Sequence, residues 1–317
     1  MSKETKKKFS IYRFLNEGND NKGVDKEESK KKDIFYFFRL FGRRFGALVK
    51  LNLLWLIGNF PIFFTLFALS GYAGKTTTAP PSAFFANLHP IVTSGEGNPV
   101  IAALYGVTGI QGTMMVNTPL TFLFYGLGLL TVFTFGLVNI GIMYNMRNIV
   151  RGEPLFLLSD FWDSIKKNWK QGLVFGIMDI AIIAVLLFDI VSYAGFMRYI
   201  CIGIALIYMV MRFYIYILIP TFDLSLFKIL KNSLIFVVLN IKNNIFAILG
   251  IAFTLGVNFA MLNVFMPIGM IMPFAITLSM CMYISAYAAW PKIKEIMVDP
   301  YEEDDSPKAE PIFKDRG

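Results

Sequence analysis

Six apolar runs, each long enough to cross a lipid bilayer, dominate this sequence and leave few folds open to it. They occupy residues 51–70, 119–144, 172–192, 196–220, 245–265 and 267–289. A helix needs about 20 apolar residues to span the hydrocarbon core, and inside a bilayer only helices and closed barrels satisfy their backbone hydrogen bonds. The runs therefore predict an all-α, polytopic membrane protein with six transmembrane helices. A composition of 56% hydrophobic and 16% charged residues agrees with this fold class.

The basic residues are concentrated at the chain ends and in alternate joints between the runs. Of the 30 Lys and Arg residues, 27 lie in segments 1–50, 147–170, 228–242 and 292–317. Positive charge accumulates on the cytoplasmic side of membrane proteins, and an even number of spans brings both ends to one side. We therefore expect a multi-pass plasma-membrane protein with both termini cytoplasmic. The net charge of +8 reflects this topology, and we expect no nucleic-acid partner because no basic and aromatic binding module accompanies the charge.

Composition divides the chain into three parts. Residues 1–32 and 295–317 are rich in charge and poor in core-forming residues, so we expect two disordered cytoplasmic tails, the second of them acidic. Residues 33–294 form the predicted six-span membrane domain. Within this domain, residues 71–118 are rich in Gly, Pro and Thr, and we expect them to form an extracellular insertion between the first two spans.

Residue types that commonly carry catalysis or bind metals are scarce in this chain. His89 is the single histidine, and the two cysteines, Cys201 and Cys281, both lie inside apolar runs. The sequence contains no metal-ligand spacing, no nucleophile motif and no Gly-rich nucleotide loop. We therefore expect neither an enzyme nor a metal or cofactor site.

The polar joint at residues 145–172 has the pattern of an amphipathic helix. Its apolar residues recur at the spacing of one helical face: Leu158, Phe161, Trp162, Ile165 and Trp169. Charged residues occupy the opposite face: Asp160, Asp163, Lys166, Lys167 and Lys170. The pattern predicts a short helix at the cytoplasmic membrane surface. Such a helix either anchors the chain at the lipid headgroups or offers a docking surface to a partner protein, and the sequence leaves both open.

Two oppositely charged residues stand inside consecutive apolar runs. Asp179 lies nine residues beyond Lys170, about 13 Å deep, and Arg212 lies eight residues before Pro220, about 12 Å from the same face. Because the third and fourth runs form a hairpin, we expect Asp179 and Arg212 to form an intramembrane ion pair in which each offsets the desolvation of the other. The pair either fixes the hairpin or takes part in a proton or substrate relay.

A weak internal repeat runs through the chain. Asp33, Asp160 and Asp223 each open a short stretch with an apolar stripe and basic residues, and each stretch leads into an outward-going span. This arrangement predicts three copies of a surface helix followed by a helical hairpin, the first copy carrying the insertion. Basic and aromatic joints are also general in polytopic proteins, so the pattern alone does not decide between the two.

Short motifs connect the chain to a known family. They are LNLLW at 51–55, GNFP at 58–61, RGE at 151–153 and DFW at 160–162. With these motifs the chain resembles the YesL-like family of bacterial membrane proteins, from which the long 71–118 segment departs. The resemblance implies a place beside carbohydrate-uptake systems of Gram-positive bacteria and brings no catalytic residues.

Two functions follow as expectations. The first is an accessory or regulatory partner of a sugar-uptake system, with the lipid bilayer and ABC sugar transporter subunits or a regulatory membrane protein as partners. No joint carries the EAA-type sequence by which ABC permeases engage their ATPases, so a permease subunit itself is not expected. The residues expected at the cytoplasmic docking surface are Arg151, Glu153, Asp160, Phe161, Trp162, Lys166, Lys167 and Trp169. The second is a small secondary transporter for a sugar-related solute that uses Asp179 and Arg212.

Overall fold

The fold of the chain was analysed in a computed structural model that describes residues 34–79, 99 and 112–300. The helices and strands follow in chain order: α1 (Ile34–Arg43), α2 (Phe45–Gly58), α3 (Ile62–Leu69), β1 (Lys75–Ala79), β2 (Gly112–Val116), α4 (Pro119–Gly128), α5 (Thr131–Arg151), α6 (Leu157–Ser192), α7 (Phe196–Thr221), α8 (Leu226–Leu239), α9 (Ile241–Val264), α10 (Met266–Met272), a π-helix (Pro273–Thr277) and α11 (Leu278–Met297). The predicted tail at 1–32, residues 301–317 and most of the 71–118 insertion lie outside the described residues.

The prediction of a helical, polytopic membrane fold is confirmed. Five helical segments of the described chain are long and apolar enough to cross a membrane, and the pair α2 and α3 makes a sixth if its two helices form one crossing. The break in this pair falls at Asn59, Phe60 and Pro61, inside the run at 51–70 that the sequence presents as continuous. Proline removes a backbone donor and fixes its own φ angle, which explains why the helix stops before Pro61.

The described residues between 60 and 131 form a compact unit of their own. Within this unit, the side-chain hydroxyls of Thr118 and Thr121 both donate to the carbonyl of Ala73, at 2.6 and 2.8 Å. Strands β1 and β2 pair antiparallel, with Lys75 opposite Val116 and Ala79 opposite Gly112. The sequence analysis did not predict these strands. A two-stranded ladder satisfies the backbone groups at both ends of the insertion.

The remaining described residues, 34–59 and 132–300, form the second unit and contain the main core. Its helices α5 and α6 meet at glycines: a methyl group built on Gly136 would overlap the carbonyl of Gly172 and lie 2.5 Å from the Cα of Gly176. Small residues at such crossings let helix backbones approach closely in membranes. Side chains of α2, α5, α7 and α11, including Leu48, Ile140, Tyr214 and Tyr283, fill the core around this crossing and are fully buried.

Three surface stretches join their following spans through the same backbone conformation. Arg44 connects α1 to α2 with φ −105° and ψ 13°, Asn168 bends α6 with φ −115° and ψ 20°, and Asn240 connects α8 to α9 with φ −115° and ψ 28°. Each residue leaves the helical conformation for the sparsely allowed bridge region. Asn59, at the break between α2 and α3, has the same conformation with φ −104° and ψ 21°, so this geometry is not specific to the predicted repeat. The bend at Asn168 corrects one predicted boundary, because the predicted surface helix and the third span form a single bent helix, α6.

A π-helix interrupts the last span, and Asn52 of the LNLLW motif stabilises it. The Asn52 amide donates to the carbonyls of Pro273 and Phe274, at 2.9 and 2.7 Å, and its oxygen accepts from the backbone nitrogen of Ser279 at 2.9 Å. A π-helix leaves backbone groups outside the regular i to i−4 pattern, and such groups are costly when buried without partners. Asn52 thus joins α2 to the last span through interhelical hydrogen bonds, a common role for asparagine in membrane helices.

Candidate functional sites in the membrane domain

The first candidate site is the carboxylate of Asp179, which is fully buried in α6. Arg212 of α7 places its Nε 2.8 Å from Asp179 Oδ1 and 3.1 Å from Oδ2. The Tyr208 hydroxyl donates to Oδ1 at 2.8 Å, and the Tyr216 hydroxyl donates to Oδ2. The structure thus brings the two predicted charges together. Both carboxylate oxygens have hydrogen-bond donors, which is the condition under which a buried charge is tolerated.

Arg212 is less enclosed than its partner. Its side chain is 26% exposed, against 0% for Asp179, and its guanidinium carbon lies 5.7 Å from the Phe135 ring and 5.6 Å from the Tyr216 ring. Arginine carries five N–H donors, and Asp179 is contacted through Nε. The contact with Asp179 therefore uses one of these donors.

The cluster extends toward the family motif in α2. Trp55 of LNLLW donates from Nε1 to Asn139 Oδ1 at 2.9 Å, and the Asn139 side chain lies beside the Tyr216 hydroxyl. One hydrogen bond therefore links α2 to α5, and a second polar group links α6 to α7 through Asp179. Each link limits the orientation of the side chains that form it.

The second candidate site is the turn between α5 and α6 that contains RGE. Gly152 has a φ of +73°, a conformation that favours glycine. Arg151 forms an ion pair with Glu153 at 2.7 Å, and the Glu153 backbone nitrogen donates to the Asn148 carbonyl at 3.0 Å. Arg44, which is 1% exposed, donates to the Glu153 carbonyl at 3.3 Å. Arg44 and the RGE turn thus lock the start of α2 against the end of α5.

Asp160 and Phe161 fix the start of α6 beside this turn. The Asp160 carboxylate accepts from the Phe156 backbone nitrogen at 3.1 Å and so stabilises the first turn of the helix. Phe161 is 3% exposed, and its ring lies where a Cβ on Gly141 would stand. Asp160 and Phe161, two of the eight residues predicted at the docking surface, are therefore structural supports of α6.

The predicted apolar stripe of this segment divides in the structure. Phe161 and Ile165 point into the core, whereas Trp162 and Trp169 are 51% and 52% exposed. Lys166 and Lys167 are also exposed. The helix therefore does not lie on the membrane with one uniformly apolar face, since its buried side packs on protein. The two tryptophans and the two lysines form an outward surface that we call the α6 surface.

The sequence analysis missed two members of the intramembrane cluster, Tyr208 and Tyr216. The two tyrosines stand four residues before and after Arg212, so one face of α7 carries all three side chains. That spacing was the available signal. In the described part of the chain no group of three or more His, Cys, Asp or Glu side chains is placed to hold a metal ion.

Comparison with known proteins gives one match. The model of a family described as protein of unknown function, DUF624, matches residues 48–190. This region includes Trp55, Asn139, the RGE turn, the α6 surface and Asp179, and it ends before Arg212. No curated protein matches the chain, and no solved structure does. Residues 48–190 are therefore similar to the DUF624 family, and the resemblance of this chain to the YesL-like membrane proteins is consistent with that match.

Proposed function

We propose that this protein is a non-enzymatic accessory subunit of the bacterial cell membrane that docks through its α6 surface onto a carbohydrate-uptake complex. The observation that carries the proposal is the exposure of Trp162 and Trp169 on a helix segment whose other side is fixed by Phe161 and Ile165. Large aromatic side chains on a rigid support are the residues that most often dominate protein–protein affinity. Little conformational entropy is lost when they bind, because the helix is already ordered.

The charges beside the tryptophans favour a partner with an acidic surface. Lys166 and Lys167 are exposed, and the Lys170 ammonium lies 5.7 Å from the Trp169 ring. Complementary charge speeds association and selects among partners. The same residue types also suit lipid headgroups, and the experiment below separates these roles. The choice of a sugar-uptake partner, an ABC transporter subunit or a regulatory membrane protein, rests on the family resemblance.

Removing the two exposed tryptophans is expected to release the partner while the protein stays folded. In a Trp162→Ala and Trp169→Ala double variant, permease or ATPase subunits that co-purify with the wild type should fall at least tenfold, since losing one interface anchor costs about 2 kcal/mol. The measurement is affinity purification from native expression in mild detergent, with the bound proteins quantified by mass spectrometry.

Phe227→Ala is the matched control for the docking experiment. Phe227 is 77% exposed on the surface helix α8. Its removal therefore tests whether the loss of any exposed aromatic ring between two spans releases the partner. The control should retain the partner subunits. Equal recovery of transporter subunits by the tryptophan variant and the wild type would exclude the α6 surface as the docking site.

The proposal includes an orientation with both termini in the cytoplasm. In a background with Cys201→Ala and Cys281→Ala, Tyr72→Cys should react with a membrane-impermeant maleimide in intact cells. Asp163→Cys should react only after the membrane is permeabilised. Tyr72 and Asp163 are both exposed, so access to the reagent depends on the side of the membrane. Labelling of Asp163→Cys and protection of Tyr72→Cys in intact cells would contradict this topology.

A small secondary transporter is the second candidate function. The specific observation in its favour is the partial exposure of Arg212 beside a fully buried Asp179, because charged residues inside spans often mark substrate or ion paths. Purified protein that moves a sugar into liposomes, with the activity lost in Arg212→Met, would favour this candidate. Co-purified transporter subunits that leave with the α6 surface tryptophans would favour the accessory role.

A further inference from the structure

A deep apolar groove opens on the side of the protein formed by α1, α9 and α11. Its cavity has a volume of about 720 Å³, which lies within the range of about 300–1,000 Å³ for small-ligand sites. Phenylalanines of α1 form one wall, α9 forms the second from Asn243 to Val257, and the last span forms the third from Met272 to Pro291. Protein therefore encloses the groove on three sides.

The groove is about as long as one bilayer leaflet is thick. Its α9 wall covers 14 residue steps, about 21 Å at 1.5 Å per residue. Half of a bilayer with its headgroup region is also about 21 Å thick. Both long walls belong to candidate membrane spans, so the open side of the groove faces lipid.

The chemistry of the walls fits a hydrocarbon chain. The lining side chains are mainly Phe, Met, Ile, Val and Ala, and the Thr254 hydroxyl donates to the Gly250 carbonyl at 2.8 Å instead of facing a ligand. Gly250 adds no side chain to the wall, which leaves the groove open beside Ile284. A chain in this groove would contact protein on three sides, whereas a chain in bulk lipid has no fixed neighbours.

Two lysines stand next to lining residues of the groove in the sequence. Lys242 precedes the lining residue Asn243, is exposed, and has no ion-pair partner in the described ranges. Lys292, which follows the lining residue Pro291, is instead paired with Glu295 at 2.7 Å. A basic side chain at the end of an apolar groove is complementary to an anionic lipid headgroup.

We propose that this groove binds one acyl chain of an anionic phospholipid from the leaflet next to the basic joints, with its phosphate near Lys242. The site is separate from the α6 surface and goes beyond the proposed docking function. The lipid would hold the surface helix α1 against the last two spans. The affinity of the groove for the lipid headgroup, not a partner protein, would then determine how stably α1 packs against these spans.

Photo-crosslinking of the purified full-length protein in nanodiscs tests the proposal. The probe is phosphatidylglycerol with a diazirine on its acyl chain. The control is phosphatidylcholine with the same diazirine acyl chain. Cross-linked peptides should come from 243–257 and 272–291, and phosphatidylglycerol should label them more strongly. Even labelling of all spans, or cross-linking of a second copy of the chain at this groove, would overturn the proposal, whether or not any variant folds.

Matched glycine variants on α9 sharpen the test. Gly250→Leu fills the groove, and excluding about two methylene groups from it should lower labelling about tenfold. Gly256→Leu adds the same side chain six residues on, where a Cβ meets open space, and should label like the wild type. Lys242→Gln should remove the preference for phosphatidylglycerol and leave phosphatidylcholine labelling unchanged. Equal labelling of Gly250→Leu and the wild type would exclude the site.

Discussion

Replacing Asp179 with asparagine is expected to lower the melting temperature of the detergent-solubilised protein by about 10 °C. The substitution leaves the Arg212 guanidinium without its counter-charge inside the membrane domain, and breaking one side of a buried ion pair costs about 3–5 kcal/mol. For a protein of this size, each kcal/mol corresponds to about 2–4 °C. The shift can be measured by size-exclusion chromatography with fluorescence detection after heating.

Two further variants show whether charge or geometry is responsible for the shift. Adding Arg212→Met to Asp179→Asn removes both charges, so most of the lost stability should return. Asp189→Asn makes the same change on the same helix at a partly exposed position, and surface changes of this kind usually stay within about 0.5 kcal/mol. A double variant as unstable as Asp179→Asn alone would show that the ion pair does not stabilise the hairpin.

The large features of the fold could be predicted because the bilayer imposes them. Backbone hydrogen bonding requires long apolar helices, so the spans at 172–192 and 196–220 agree with the cores of α6 and α7. Breaks inside spans were harder to foresee. Asn168 bends α6 without ending it, since the helix continues on both sides and asparagine is not a specific signal for a bend. The β1–β2 pair depends on contacts between residues about 40 positions apart, which periodicity does not report.

The candidate sites also contain residues that the sequence predicts and residues that it does not. Charges inside apolar runs are rare and costly, so Asp179 and Arg212 stood out, and equal depth placed them together. Tyr208 and Tyr216 did not stand out, because tyrosine is common in membrane proteins and its role here depends on the orientation of the Asp179 carboxylate. The predicted apolar stripe of α6, which holds Trp162 and Trp169 together with Phe161 and Ile165, divides in the structure for a related reason. A stripe wider than the available core must divide between protein and surroundings, and Phe161 occupies the space left by Gly141.

Gly176→Leu is expected to cost about 3 kcal/mol or more, comparable to the loss of the ion pair, because the backbones of α5 and α6 touch at this point. A Cβ on Gly176 would lie 2.6 Å from the Gly136 Cα, whereas nonbonded carbons prefer about 3.5–4.0 Å. The helices would have to separate, which would also move Asp179, three residues further along α6, away from α7. The yield of monodisperse protein and its melting temperature should both fall.

Gly203→Leu and a pair of alanine variants separate this close approach from the general effect of losing a glycine. Gly203 of α7 is exposed and its Cβ would meet nothing within 4 Å, so leucine there should be tolerated at a lipid-facing position. Alanine is favoured over glycine in helices by about 1 kcal/mol, and Gly203→Ala should therefore be neutral or stabilising. Gly176→Ala should destabilise despite that preference, since its single added methyl already overlaps Gly136. If both alanine variants raise the melting temperature alike, the α5–α6 crossing tolerates more space than its geometry indicates, and the glycines are not what holds the two helices together.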